Sequence, residues 1–262
     1  MSINHKLTHY LQAFLYALVF LTRLPVGKWL HKPDSRTIST AVYFYPLVGL
    51  VLGLVLVLFA SLVAGFGTWL AAALTVSFWV MLTGALHLDG LADCMDAYYA
   101  GHKITDQKQR RERILQVMHD PACGAVALVA LVLVIMLKVI ALASLWQQGA
   151  ALSLLLVAPV LARTAILPFM ALADYARQTD GGVSTPVNNS QSLWITAFLY
   201  CALVAVGLSF VHSAVLIVAL AVLLTYWSRF WFKQIGGYTG DCLGALVELS
   251  EVLVLILLVA LC

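Results

Sequence analysis

The sequence predicts an all-α integral membrane protein, a polytopic helical bundle of about seven or eight transmembrane helices forming one domain over residues 1–262. Three observations lead there. Hydrophobic residues make up 63% of the chain and charged residues 10%, whereas soluble domains carry about 25% charged residues. Mean hydropathy is +0.97. Apolar runs long enough to cross a hydrocarbon core of about 30 Å recur as far as Cys262, which argues against a soluble chain behind one signal peptide.

The first run, 8–22, is short and contains Thr8, His9 and Gln12, so it is expected to lie partly in the membrane interface. Further spans are predicted at 40–64, 68–88, 123–145, 150–171, 193–211, 213–232 and 244–262. The linkers near 65–67, 146–149 and 212–213 are short and hold no Lys or Arg. Polar connections near 23–39, 89–122, 172–192 and 233–243 hold most of the cations, among them Arg23, Lys103, Arg110, Arg111, Arg113, Arg177 and Lys233. Alternating hairpins put these connections on one side, and their positive charge makes that side cytoplasmic. The expected location is a cytoplasmic (inner) membrane, with the polar motifs facing the cytoplasm.

The net charge of +3 belongs to these connections, and no nucleic-acid-binding motif is present, so no nucleic-acid partner is expected. Subunit association is left open. The five cysteines form no CxxC pair and no cluster with histidine, and read as reduced packing residues. Among the few charges within the spans, Lys138, Arg163, Glu248 and Glu251 are functional candidates by position. Lys138 also fits a simpler role, as the buried partner of one of the carboxylates.

Chemistry concentrates in three stretches. The first, "ALHLDGLADCMDAYYAG" from Ala85, follows an apolar run. On a helix Asp89, Asp93 and Asp96 share one stripe about 60° wide and about 10 Å long, where like charges repel unless a cation compensates. Carboxylate oxygens suit Mg²⁺, commonly held by a few carboxylates together with substrate phosphates. No Lys or Arg is interleaved to make ordinary surface pairs. Gly90 leaves room for a ligand backbone or a phosphate. His87 would point away from Asp89 on the same helix, so it joins the site only if the helix breaks at 88–90; otherwise it is an interfacial histidine.

In the second stretch, "RRERILQVMHDPACGAVALV", Arg110, Arg111 and Arg113 suit either anionic substrates or lipid headgroups. Asp120, before Pro121, is a candidate base or a cap for the span that begins near Cys123. The third, "GGYTGDCLGALVELSE", sets Thr239, Gly240 and Asp241 at a helix start, where backbone N–H groups can face a phosphate. It contains no Walker A pattern.

Together with "FLTRLPV" from Phe20 and "YFYPLVGLVLG" from Tyr43, these stretches resemble the cobalamin synthase family, the adenosylcobinamide-GDP ribazoletransferases, over almost the whole chain. The resemblance implies a membrane enzyme of vitamin B12 biosynthesis. It would join α-ribazole, or its 5′-phosphate, to adenosylcobinamide-GDP with release of GMP and a requirement for Mg²⁺. The family's acidic motif falls on His87, Asp89, Gly90, Asp93 and Asp96, its M-x-D element on Met118 and Asp120, and its later motif on Thr239, Gly240, Asp241 and Gly244. Arg23 and Arg163 stand where the family usually has arginine. The chain departs from the family pattern at Ala97 and Ala127, where glycine is usual, and in having His119 and Pro121 beside Asp120.

The combined expectation is Mg²⁺ on Asp89, Asp93 and Asp96, and His87 or Asp120 as the base. Substrate would be held by Arg23, Arg110, Arg111, Arg163, Thr239, Gly240 and Asp241. The alternatives are a membrane phosphotransferase acting on a CDP-activated lipid, whose full aspartate signature is missing here, and a cation transporter, which would place its acids near the bilayer midplane.

Overall fold

The computed structural model describes residues 3–176 and 190–262. Every named element is helical: α1 (Ile3–Leu21), α2 (Ser35–Ala41), α3 (Tyr45–Val63), α4 (Thr68–Thr83), α5 (Leu86–Gly101), α6 (Gln107–Val117), α7 (Ala125–Gln147), α8 (Val157–Leu172), α9 (Ser190–Gly207), α10 (Phe210–Ile235) and α11 (Gly240–Leu261). Among the described residues six segments are long and apolar enough to cross a membrane, or seven if α4 and α5 are one bent span. The predicted first run falls on α1, which is not among them. Its polar residues hold the chain that follows: His9 hydrogen-bonds Thr40 at 3.1 Å, and Gln12 accepts from the His31 amide at 2.8 Å. Residues 177–189 of the connection predicted near 172–192 lie outside the described residues.

Large apolar side chains cover the outside of the bundle, including Phe198, Val206, Phe210 and Val222, as a lipid environment requires. The centre belongs to α8 and α11; every residue of α8 from Val157 to Phe169 is buried. Without a hydrophobic drive inside lipid, helices need close backbone contact. Gly49 and Gly53, one turn apart on α3, provide it against α8, since a β-carbon at Gly49 would collide with the Pro159 carbonyl.

At the centre four intramembrane charges meet. Lys138 Nζ lies 2.6 Å from Glu248 and 2.5 Å from Glu251, and Arg163 donates to Glu251 at 2.7 Å. Lys138 also rests over the Trp79 ring at 4.7 Å. Lys138 is thus the buried partner of carboxylates, the simpler of its two sequence readings. Two cations and two anions from α7, α8 and α11 neutralise one another where no water can do so.

The span predicted at 68–88 ends earlier and turns. Gly84 takes a left-handed conformation (φ 61°), with its N–H on the Met81 carbonyl at 3.1 Å and the Ala85 N–H on Val80 at 3.0 Å. These two bonds close the end of α4 as glycine does at many helix C-termini. The chain bends by 85°, and α5 starts at Leu86 with Asp89 in its first turn, where the helix dipole favours an anion.

Candidate active site

The acidic motif on α5 and the glycine-rich motif opening α11 are far apart in sequence and meet in space. Gly90 and Gly244 sit at the helix crossing. A β-carbon on Gly90 would lie 2.9 Å from the Asp241 carbonyl oxygen, and one on Gly244 would lie 3.3 Å from the His87 Cα. Gly90 therefore makes room for the Asp241 backbone, and it also borders the cavity beside the crossing. A Gly90→Ala variant is expected to push α5 off α11 by a few tenths of an ångström and lower turnover about tenfold, because small misplacements of reacting groups are costly. Steady-state rates on protein of unchanged thermal stability check this.

Beside the crossing lies a cavity of about 480 Å³. His87, Asp89, Gly240, Asp241 and Gly244 border it with His119, Tyr45, Tyr175 and Tyr238. His87 is buried, and neither ring nitrogen has a hydrogen-bond partner among the described residues. The helix is unbroken at 88–90, yet His87 and Asp89 reach the same cavity. Both stand in the first turn of α5, so the break that matters is the one at Gly84 and Ala85.

Tyr238 is placed by backbone pairing. Its N–H donates to the Asp174 carbonyl at 3.0 Å, and its carbonyl accepts from Ala176 N–H at 2.9 Å. Gly237 permits this, since a side chain there would strike the Asp174 carbonyl. Burial, reinforced by Tyr175 and Asp174, pushes the Tyr238 hydroxyl up to about 12, so it remains a donor at physiological pH.

The other predicted site residues fall in several places. Thr239 is fully buried and caps α11, accepting from the Cys242 amide at 3.3 Å. It also bonds the Asp241 carboxylate at 3.2 Å. Gly240 has open space around it and faces the cavity at the positive end of α11. Arg111 ties three segments together, donating to the Ile235 carbonyl at 2.8 Å and the Ala176 carbonyl at 2.9 Å. Arg110 donates to the Thr105 carbonyl at 3.3 Å. Arg163 is fully buried in the central ion network, and its Nε and one terminal nitrogen have no partner among the described residues.

The three aspartates diverge. Asp89 is exposed and borders the cavity. Asp93 is half-buried in the middle of α5, and Asp241 borders the cavity from the first turn of α11. Asp96 accepts from the amides of Gly124 (2.5 Å) and Ala127 (3.2 Å), and so closes the start of α7. Gly124 is needed there, as a β-carbon would lie 2.6 Å from an Asp96 oxygen. Among the described residues no three His, Cys, Asp or Glu side chains gather to hold a metal by themselves.

Asp120 does not cap α7. It forms a local turn by accepting from Ala122 N–H at 3.0 Å, on an exposed loop outside the cavity lining. Its neighbour His119 borders the cavity. Sequence reasoning noted His119 only as a departure from the family pattern and did not single out Tyr45, Tyr175 or Tyr238. The aromatic residues clustered near the polar motifs were the available signal.

Comparison with known proteins covers the same segments. Residues 13–259 match the model of the CobS family, cobalamin-5-phosphate synthase. A Pseudomonas aeruginosa protein named adenosylcobinamide-GDP ribazoletransferase is 43% identical over 253 residues, covering 95% of this chain and 98% of the relative. A Brevibacillus brevis protein of the same name is 38% identical over 256 residues, covering 95% and 98%. No solved structure matches the chain. An extended family match that includes both halves of the α5–α11 crossing places the chain in a known group: it belongs to the cobalamin-5-phosphate synthase family.

Proposed function

We propose that this protein joins α-ribazole, or its 5′-phosphate, to adenosylcobinamide-GDP, releasing GMP and forming adenosylcobalamin or its 5′-phosphate. The observation that carries this reading is the cavity at the α5–α11 crossing, which unites His87, Asp89 and Asp241 from the two motifs of the family. In the reaction the ribose 3′ oxygen attacks the phosphorus attached to the corrinoid. The bond from that phosphorus to the bridging oxygen breaks, and GMP departs with the electron pair.

His87 takes the proton of the attacking hydroxyl, because it borders the cavity and neither of its ring nitrogens has a partner among the described residues. The Tyr238 hydroxyl and the Gly240 backbone at the α11 N-terminus orient the substrates. Asp89 and Asp93 offer hard oxygen donors and fit Mg²⁺ bound by one or two carboxylates plus substrate phosphates, an ion that supplies compensation for charge on the departing phosphate. Asp96 keeps α5 and α7 together beneath them. The cavity faces the cytoplasm, because Arg110, Arg111 and Lys233 cluster at its end of the bundle, where Arg111 meets the end of α10.

The test is GMP release and cobalamin formation by purified protein in nanodiscs, with adenosylcobinamide-GDP and α-ribazole 5′-phosphate. Product is expected with Mg²⁺ and not after chelation with EDTA. Folded protein that gives no product, or that turns over a CDP-activated lipid instead, overturns the reading.

A further inference from the structure

A second cavity, of about 550 Å³, opens between the end of α1 and the α4–α5 turn, and shares Phe20, Leu86 and Asp89 with the first. Each has the size of an ordinary small-molecule pocket, and Asp89 stands in their common wall. Their linings differ in charge. Arg23 borders the second cavity together with Thr22 and Thr83, whereas no Lys or Arg borders the first.

Arg23 is set for an anion. Its backbone is pinned by a hydrogen bond from its N–H to the Leu82 carbonyl at 2.6 Å. Its stem lies over Gly84, where any β-carbon would collide with it. The same glycine that ends α4 therefore fixes the course of the arginine. The Arg23 side chain is exposed and makes no hydrogen bond or ion pair with a described residue, so its planar fork is available to phosphate oxygens.

The first cavity has the opposite character. Two aromatic pairs border it: Phe20 stacks on Tyr45 with centroids 6.3 Å apart, and Tyr175 meets Tyr238 edge-on at 5.7 Å. Ile166, Met170 and Leu243 add apolar surface. With aromatic and apolar walls and with Asp89 and Asp241 but no Lys or Arg among its side chains, this space suits an uncharged aromatic ring better than it suits a bare phosphate.

We infer that the two cavities are separate subsites on either side of Asp89. The Arg23 cavity receives the nucleoside monophosphate that leaves, and the aromatic cavity receives the base of the acceptor nucleoside. The corrinoid, bulkier than either space, stays outside both. This assignment rests on the transferase reading above. It brings the two reacting ends together at Asp89, where the phosphorus must lie between incoming and departing oxygens.

The experiment measures KM for each substrate separately, with GMP as inhibitor. In the unmodified protein GMP is expected to compete with adenosylcobinamide-GDP and not with α-ribazole 5′-phosphate. Arg23→Gln should raise the KM of the GDP-activated substrate and weaken GMP inhibition by about tenfold or more, the scale of a lost charge-assisted hydrogen bond, with the acceptor KM unchanged. Met170→Trp, which narrows the aromatic cavity, should do the reverse. Competition between GMP and the acceptor, or an Arg23→Gln effect on the acceptor KM alone, overturns the assignment while leaving the transferase intact. An unmodified protein without turnover overturns the transferase reading itself, and the assignment with it.

Discussion

An Asp89→Asn variant is expected to fold as the parent does and to lose at least about two orders of magnitude in turnover. The side chain is exposed and makes no hydrogen bond or ion pair with a described residue, so the structure does not depend on it. Its contribution to stability comes through the dipole at the start of α5, a term of about 0.3–1 kcal/mol. Its position is the demanding part, because it borders both cavities and carries the negative charge closest to their junction. Asparagine keeps the shape and removes that charge, leaving a weaker donor for a divalent cation. Turnover measured beside thermal unfolding separates the two effects. Near-parental turnover would remove Asp89 from the chemistry.

Glu251→Leu should produce the largest loss of stability. Glu251 joins both buried cations, accepting from Lys138 at 2.5 Å and Arg163 at 2.7 Å. Its removal leaves Arg163 without a carboxylate and Lys138 with Glu248 alone, inside a bundle that offers no water. Breaking a buried pair from one side costs about 3–5 kcal/mol in proteins generally, whereas replacing a whole pair with apolar residues is often neutral. The double variant Lys138→Met with Glu248→Leu removes one charge of each sign and keeps the Arg163–Glu251 pair. It is expected to melt near the parent in the same detergent, while Glu251→Leu melts well below it. Equal melting temperatures for the two would mean that water or lipid headgroups reach the network.

The central helices were legible because a segment dissolved in lipid must be apolar over its whole length, and α7, α8, α10 and α11 announce this in composition. The polar motifs were legible for the converse reason: charge in such a chain is costly, so His87, Asp89 and Asp241 stand out against their surroundings. Even the choice of Lys138 as a buried partner could be framed, since few intramembrane carboxylates are present to receive it. Gly84 carried a weaker signal, and hydropathy ran past it to residue 88.

The roles of the individual polar residues came only from the tertiary structure. Asp89 and Asp96 look alike in the motif, yet one faces two cavities and the other closes a neighbouring helix. Arg23 and Arg111 are both arginines of polar connections, yet one is available to a ligand and the other holds two backbone carbonyls. The sequence by itself determined that the chain enters a membrane as helices with a polar end, because transfer into lipid depends on the composition of each segment alone. Which polar groups face the cavities was decided by the 85° turn and the α5–α11 crossing, because a side chain's partners depend on backbone brought close from distant parts of the chain.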